Sequence, residues 1–138
     1  MDTLKVSAYM RAHPVTFTAK MSLTAALEKL VASSQTGGPV IDDNHKVVGF
    51  ISEQDMIQAM LKVSYYCQDT YNVADCMNSE VLTVSPEDTI IAVAEQMIDL
   101  KPKLYPVTVN DKLVGVISRR DVLRAISNAV GDCFKHPV

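Results

Sequence analysis

The feature that most constrains this chain is an internal duplication. Set against itself with a shift of 67 residues, the sequence matches Val6 with Val73, Met10 with Met77, Thr16 with Thr83, Ala25 with Ala92, Glu28 with Glu95, and Pro39-Val40 with Pro106-Val107. The register then slips by one. A shift of 66 pairs Lys46 with Lys112, Val48-Gly49 with Val114-Gly115, Ile51-Ser52 with Ile117-Ser118, Asp55 with Asp121, and Ala59 with Ala125. Matches that keep their order over this length mark two copies of one supersecondary unit. The slip falls where Asp42-Asp43-Asn44-His45 faces Asn110-Asp111, turn-forming residues between strand-like runs, where a hairpin tolerates a lost residue.

Each copy reads as strand, helix, strand, strand, helix. An extended segment (Val15-Thr16-Phe17, or residues 81–84) leads to a helix N-cap expected at Thr18 or Ser85, the latter followed by Pro86. Leu23, Ala26, Leu27, Leu30 and Val31, and Ile90, Val93, Ala94 and Met97, recur at the spacing of one apolar helix face. Two short strands follow, Pro39 to Ile41 with Val47 to Ile51, and Tyr105 to Val109 with Leu113 to Ile117. A second helix then begins after Ser52 or Ser118. The expected class is α+β: two βαββα repeats related by a pseudo-twofold axis, each a helical layer on a three-stranded sheet. A unit this small buries too little alone, so the two should pack through a shared apolar helix face. The expected divisions are 1–62 for the first repeat, 63–72 for a connection whose tyrosines pack, 73–130 for the second repeat and 131–138 for a tail.

Composition excludes several functions. A net charge of -3 gives no basic field for a nucleic-acid backbone. Apolar runs end well short of the roughly 18 residues needed to span a bilayer, and no signal pattern opens the chain, so a cytoplasmic protein is expected. Cys67, Cys76 and Cys133 are odd in number and widely spaced, as in a reducing compartment, and Cys133 with His136 lacks a second pair to complete a metal site. His13, His45 and His136 have no nucleophile beside them. The methionines fall on apolar faces, as core filling. No catalytic constellation is present in the sequence, and an enzyme is not expected.

Two segments carry the chemistry: Gly49-Phe50-Ile51-Ser52-Glu53-Gln54-Asp55 and Gly115-Val116-Ile117-Ser118-Arg119-Arg120-Asp121. A serine that ends a strand can cap the following helix, and an Asp three residues later sits in the first turn, where the helix dipole favours its charge. The same helix start, with its amides and hydroxyl, is chemically suited to phosphate.

This doubled motif, about ten residues beyond a Pro-Val, resembles the signature of cystathionine-β-synthase (CBS) domains, and the likeness covers residues 6 to 126. The resemblance implies a paired, disc-like module whose clefts bind adenosine compounds such as AMP, ATP or S-adenosylmethionine. It implies that Asp55 and Asp121 hold ribose, that Ser52 and Ser118 face phosphate, and that each pocket is completed by the opposite repeat. Val15, Gln35, Thr36 and Gly37 then belong to the Asp121 cleft, and Leu82, Lys103 and Leu104 to the Asp55 cleft. Arg119 and Arg120 can supply charge-assisted phosphate contacts that Glu53 and Gln54 cannot. Gly37-Gly38 lacks a basic side chain that some members carry there, which favours a neutral or monophosphate ligand, AMP first, over ATP. The expected function is an adenosine-ligand sensor without an obligatory cofactor, working as a homodimer and signalling in trans to a protein target. The alternative is a dimerising adaptor that has lost its ligand.

Overall fold

The computed structural model describes residues 3–66, 71–100 and 102–135. Of the connection expected at 63–72, residues 67–70 with Cys67 lie outside them, as does His136. The first copy contains α1 (Leu23–Val31), β1 (Gly37–Ile41), β2 (Val47–Ser52) and α2 (Glu53–Tyr66). A short helix, α3 (Val73–Cys76), precedes α4 (Ile90–Leu100), β3 (Leu104–Val109), β4 (Lys112–Ser118) and α5 (Arg119–Lys135).

Helix and hairpin positions follow the sequence pattern, with two corrections. The first helix of each copy is capped four residues later than expected. Ser22 Oγ accepts from the Ala25 amide at 3.1 Å, and Thr89 Oγ1 accepts from the Ala92 amide at 3.1 Å. Thr18 and Ser85 instead open turns, closed by Met21 N–H to Thr18 C=O at 3.2 Å and Asp88 N–H to Ser85 C=O at 3.0 Å. The third strand of each sheet is also reduced to a single parallel bridge. Phe17 pairs with Val40, and Val84 with Val107, each beside a two-stranded antiparallel hairpin. Those turns leave only one residue extended alongside β1 or β3. The hairpin tips use left-handed residues, His45 in one and Asn110-Asp111 in the other, and the latter are the turn residues that match strand twist.

The apolar helix faces do not join the repeats. Phe17, Leu23, Ala26, Leu30, Val40, Ile51 and Met56 form one core, and Ile90, Val93, Tyr105, Val107, Ile117 and Val122 another. Each helix face is spent on its own sheet. The repeats meet along β1 and β3 and at the hairpin tips, where Val47 N–H donates to Asp111 C=O at 3.2 Å and Leu113 N–H to His45 C=O at 2.9 Å.

They are also laced together by exchange of their opening segments. Val6, in a short 3-10 turn, is fully buried in the second core, and Val73 is fully buried in the first. The Ile90 amide donates to Leu4 C=O at 2.9 Å, and the Leu23 amide to Tyr71 C=O at 3.1 Å, so each crossing segment also satisfies a helix start. Farther along, Arg11 pairs with Val116 on β4 and Asn78 pairs with Phe50 on β2. The motif glycines make room for this. A Cβ on Gly115 would lie 2.5 Å from Arg11 O, and one on Gly49 would lie 2.4 Å from Met77 Sδ.

Candidate functional site

The signature segments form capping boxes in both copies. The Ser52 amide donates to Asp55 Oδ2 at 2.9 Å and the Asp55 amide to Ser52 Oγ at 3.1 Å. The Ser118 amide donates to Asp121 Oδ2 at 2.9 Å and the Asp121 amide to Ser118 Oγ at 3.2 Å. The next amide is spent as well, Glu53 N–H on Thr36 C=O and Arg119 N–H on Lys103 C=O, both at 3.0 Å. With these amides satisfied inside the chain, a phosphate near either helix start must be met largely by side chains.

A cavity opens at each of these helix starts, walled on its far side by the other copy. The first, about 380 Å³, has Ser52, Glu53, Gln54 and Asp55 on one wall and Asn78, Glu80, Leu82, Lys103 and Leu104 on the other. The structure thus brings together every residue that the sequence assigned to the Asp55 cleft. Asp55 Oδ2 is taken by Ser52, while Oδ1 has no partner among the described residues.

The second cavity, about 700 Å³, is lined by Ser118, Arg119, Arg120, Leu123 and Arg124 from α5 and its cap, by Arg11, Ser34, Gln35 and Thr36 from the first copy, and by Lys103 and Leu104. Here the lining differs from the expected set. Asp121 is 1% exposed and is absent from the lining, held behind it by a further hydrogen bond from Ser118 Oγ at 2.9 Å and by Arg124 at 3.6 Å. Val15 and Gly37 are also outside the wall. Gln35 reaches the cavity, but its amide accepts from Val15 N–H and donates to Val15 C=O and Gly37 C=O. It therefore serves as a brace.

Sequence reasoning missed Arg11 and Arg124 in the second cavity and Asn78 and Glu80 in the first. The alignment of the copies sets Arg11 against Asn78 and Arg124 against Gln58. Only the crossing of the opening segments places Arg11 and Asn78 at the clefts, whereas Arg124 stands on α5 itself, beyond the Ser118 cap. Arg11 donates to Ser34 Oγ at 2.9 Å, and Arg124 donates to Tyr9 C=O at 3.2 Å with its guanidinium 5.6 Å from the Tyr9 ring centre.

Cys76 stands near the first cleft's Asp55. Burial first, then the charges of Asp75 and Asp55, raise its thiol above the ordinary range, with Lys62 opposing. It is thereby kept protonated and weakly nucleophilic. Among the described residues, no group of three or more His, Cys, Asp or Glu side chains could hold a metal ion, and no helix is long and apolar enough to cross a membrane.

A duplicated α+β unit with paired capping boxes and two inter-repeat clefts defines a tandem two-repeat module, and the comparisons give its family. The CBS domain model matches residues 6–62 and 73–128, and the chain belongs to the CBS domain family. The crystal structure of CBSX2 in complex with AMP superposes with a TM-score of 0.82 at 29% identity, covering 92% of this chain and 98% of that one. A putative acetoin utilization protein (AcuB) from Vibrio cholerae superposes with a TM-score of 0.83 at 25% identity, covering 98% of both chains. Among curated proteins, the A-adding tRNA nucleotidyltransferase of Aquifex aeolicus is 28% identical over 123 residues, which are 89% of this chain and 14% of that enzyme. The chain spans 43% or less of the length of the first four curated relatives it matches.

Proposed function

We propose that the chain is a regulatory module that holds an adenosine nucleotide, AMP among them, between its repeats and passes its state to a separate protein target. The observation that carries this reading is the first cleft. A cavity within the roughly 300–1,000 Å³ typical of small-molecule sites has Ser52 and Asp55 on one wall and Leu82, Lys103 and Leu104 on the other. The AMP held by CBSX2 supports the ligand class. Asp55 is the ribose partner in this reading, since it has a carboxylate oxygen to spare at the cavity wall. Asp121 acts in the second cleft by holding Ser118 and Arg124. In this reading the module binds its ligand without catalysing.

Regulation in trans is supported by exposed apolar pairs at corresponding positions of the two repeats. Val31 and Ile57 are 75% and 61% exposed, and their counterparts Ile98 and Leu123 are 75% and 64% exposed. A second copy related by a twofold axis would cover both pairs with one self-complementary surface. We therefore propose a cytoplasmic homodimer whose association or shape differs between the empty and filled states.

A second reading, a ligand-free dimerising adaptor, is favoured by one observation: the burial of Asp121 inside its own capping box. Calorimetric titration with AMP separates the two. The sensor reading expects saturable binding, an AMP-dependent rise in melting temperature, and at least about a tenfold loss at the first cleft in Asp55→Ala, equivalent to about 1.4 kcal/mol. Absence of binding by the native chain would leave the adaptor.

A further inference from the structure

We propose that the two clefts sort adenosine ligands by charge, the cleft at Ser118 preferring an adenosine polyphosphate to AMP and the cleft at Asp55 preferring to AMP an adenosine compound without net negative charge. This rests on the reading that both clefts hold adenosine ligands. The chain has four arginines in all, Arg11, Arg119, Arg120 and Arg124, and all four line the Ser118 cavity, together with Lys103. Among the described residues no carboxylate is on that wall, and Asp121 behind it pairs with Arg124. The Asp55 cavity has three carboxylates, Glu53, Asp55 and Glu80, against the single ammonium of Lys103.

The difference is systematic through the duplication. In the alignment of the copies, Asn78, Glu53, Gln54 and Gln58 occupy the positions of Arg11, Arg119, Arg120 and Arg124. Backbone geometry at these positions is shared. Arg11 bridges to Val116 as Asn78 bridges to Phe50, and both helix starts carry the same capping box. Two clefts of one construction thus differ chiefly in charge, and charge is what separates members of one ligand class that share adenine and ribose. A triphosphate gains from each guanidinium placed to meet it, whereas carboxylates around the Asp55 cleft repel it and attract a sulfonium or ammonium. The second cavity is also the larger, about 700 against 380 Å³, as the longer ligand requires.

Thr36, Lys103 and Leu104 line both cavities. Among the described residues Lys103 is the only cation lining the first cleft, and a polyphosphate in the second draws it away. Filling the Ser118 cleft with ATP should therefore favour S-adenosylmethionine over AMP in its neighbour.

The test is calorimetric titration of the intact chain with ATP, AMP, S-adenosylmethionine and inorganic tripolyphosphate at low and high salt, repeated on Arg11→Asn/Arg120→Gln, which copies the first cleft's residues into the second. The expected result is one ATP per chain, bound about tenfold or more tighter than AMP and weakened by salt as exposed charges require. The double variant should lose that preference, while S-adenosylmethionine still binds both the ATP-saturated native chain and the variant. Equal affinities for ATP and AMP, or a preference for ATP that survives the double substitution, would overturn the sorting and leave the adenosine reading intact. Binding of tripolyphosphate with no gain from the attached adenosine would overturn that underlying reading and the proposal with it.

Discussion

In the first repeat, Phe17 is fully buried beside β1, where the facing position is Gly38; in the second, Val84 stands where Phe17 does and Tyr105 stands where Gly38 does. The exchange is steric. A Cβ on Gly38 would lie 2.6 Å from Phe17 Cε2, so one repeat fills its core from the bridging segment and the other from the strand. Both bridges survive, with Phe17 N–H donating to Pro39 C=O and Val84 N–H to Pro106 C=O, each at 3.0 Å. The copies have therefore kept backbone pairing and approximate core volume while individual side chains diverged, as close-packed cores allow. Their clefts diverged further, because charges on a cavity wall are not tied to packing.

The crossing segments offer the strongest way to break this near-equivalence. The Cβ of Gly115→Ala would meet the Arg11 carbonyl oxygen at 2.5 Å, a backbone atom whose movement also strains the two hydrogen bonds between Arg11 and Val116. Gly49→Ala would meet Met77 Sδ at 2.4 Å, and a thioether can rotate aside. Chemical denaturation should show a loss of about 3 kcal/mol for Gly115→Ala and about 1 kcal/mol for Gly49→Ala. Equal losses would mean that the two crossings are equally rigid. Gly115→Ala should also displace Arg11 and weaken any polyphosphate bound at the second cleft.

What the sequence made legible was local. The hairpins, the apolar helix faces and both Ser-x-x-Asp boxes depend on residues within a few positions of one another, and these stand where patterning put them. The caps at Ser22 and Thr89 were misplaced because Thr18 and Ser85 are equally good turn formers, and only the tertiary path from Phe17 or Val84 decides which use prevails. The cleft composition was half legible. Ser52, Asp55, Ser118, Arg119 and Arg120 follow from the motif, but Arg11 and Asn78 reach the clefts only because the opening segments change places. Asp121 differs in the opposite direction. Its motif position is right, yet burial behind Ser118 and Arg124 removes it from the wall.

The two caps sharpen the comparison at a smaller scale. Ser52 and Ser118 each satisfy one helix amide, a role whose loss to alanine costs about 1 kcal/mol. Ser118 Oγ also donates to Asp121 Oδ2, which Ser52 does not do for Asp55. Ser118→Ala therefore removes a partner from a buried carboxylate and should cost about 2 kcal/mol against about 1 kcal/mol for Ser52→Ala. Identical losses in denaturation would show that the extra hydrogen bond contributes nothing. Ser118→Asp, which keeps capping capacity but brings a negative charge, should diminish ATP-dependent stabilisation more than ligand-free stability.

An effect as small as the smallest of these should come from Tyr105, and its sign is the reverse of the others. The ring is fully buried in the second core, and its hydroxyl has no hydrogen-bond partner among the described residues. An unsatisfied buried hydroxyl costs about 1 kcal/mol or more, so Tyr105→Phe, which keeps the ring, should stabilise by about 1 kcal/mol at neutral pH. Burial also raises the phenol above its ordinary 10.0. Above pH 10 the unfolded chain gives up this proton while the folded chain retains it; the unfolded state then binds fewer protons, and stability falls as pH rises. Tyr105→Phe removes that component, so the gap between variant and native chain should widen between neutrality and pH 11. The first repeat has Gly38 at this position and contributes no such term. A variant less stable than the native chain at neutral pH, or a gap constant with pH, would show that the hydroxyl is satisfied in solution and that the exchange of Phe17/Gly38 for Val84/Tyr105 left no cost in the second core.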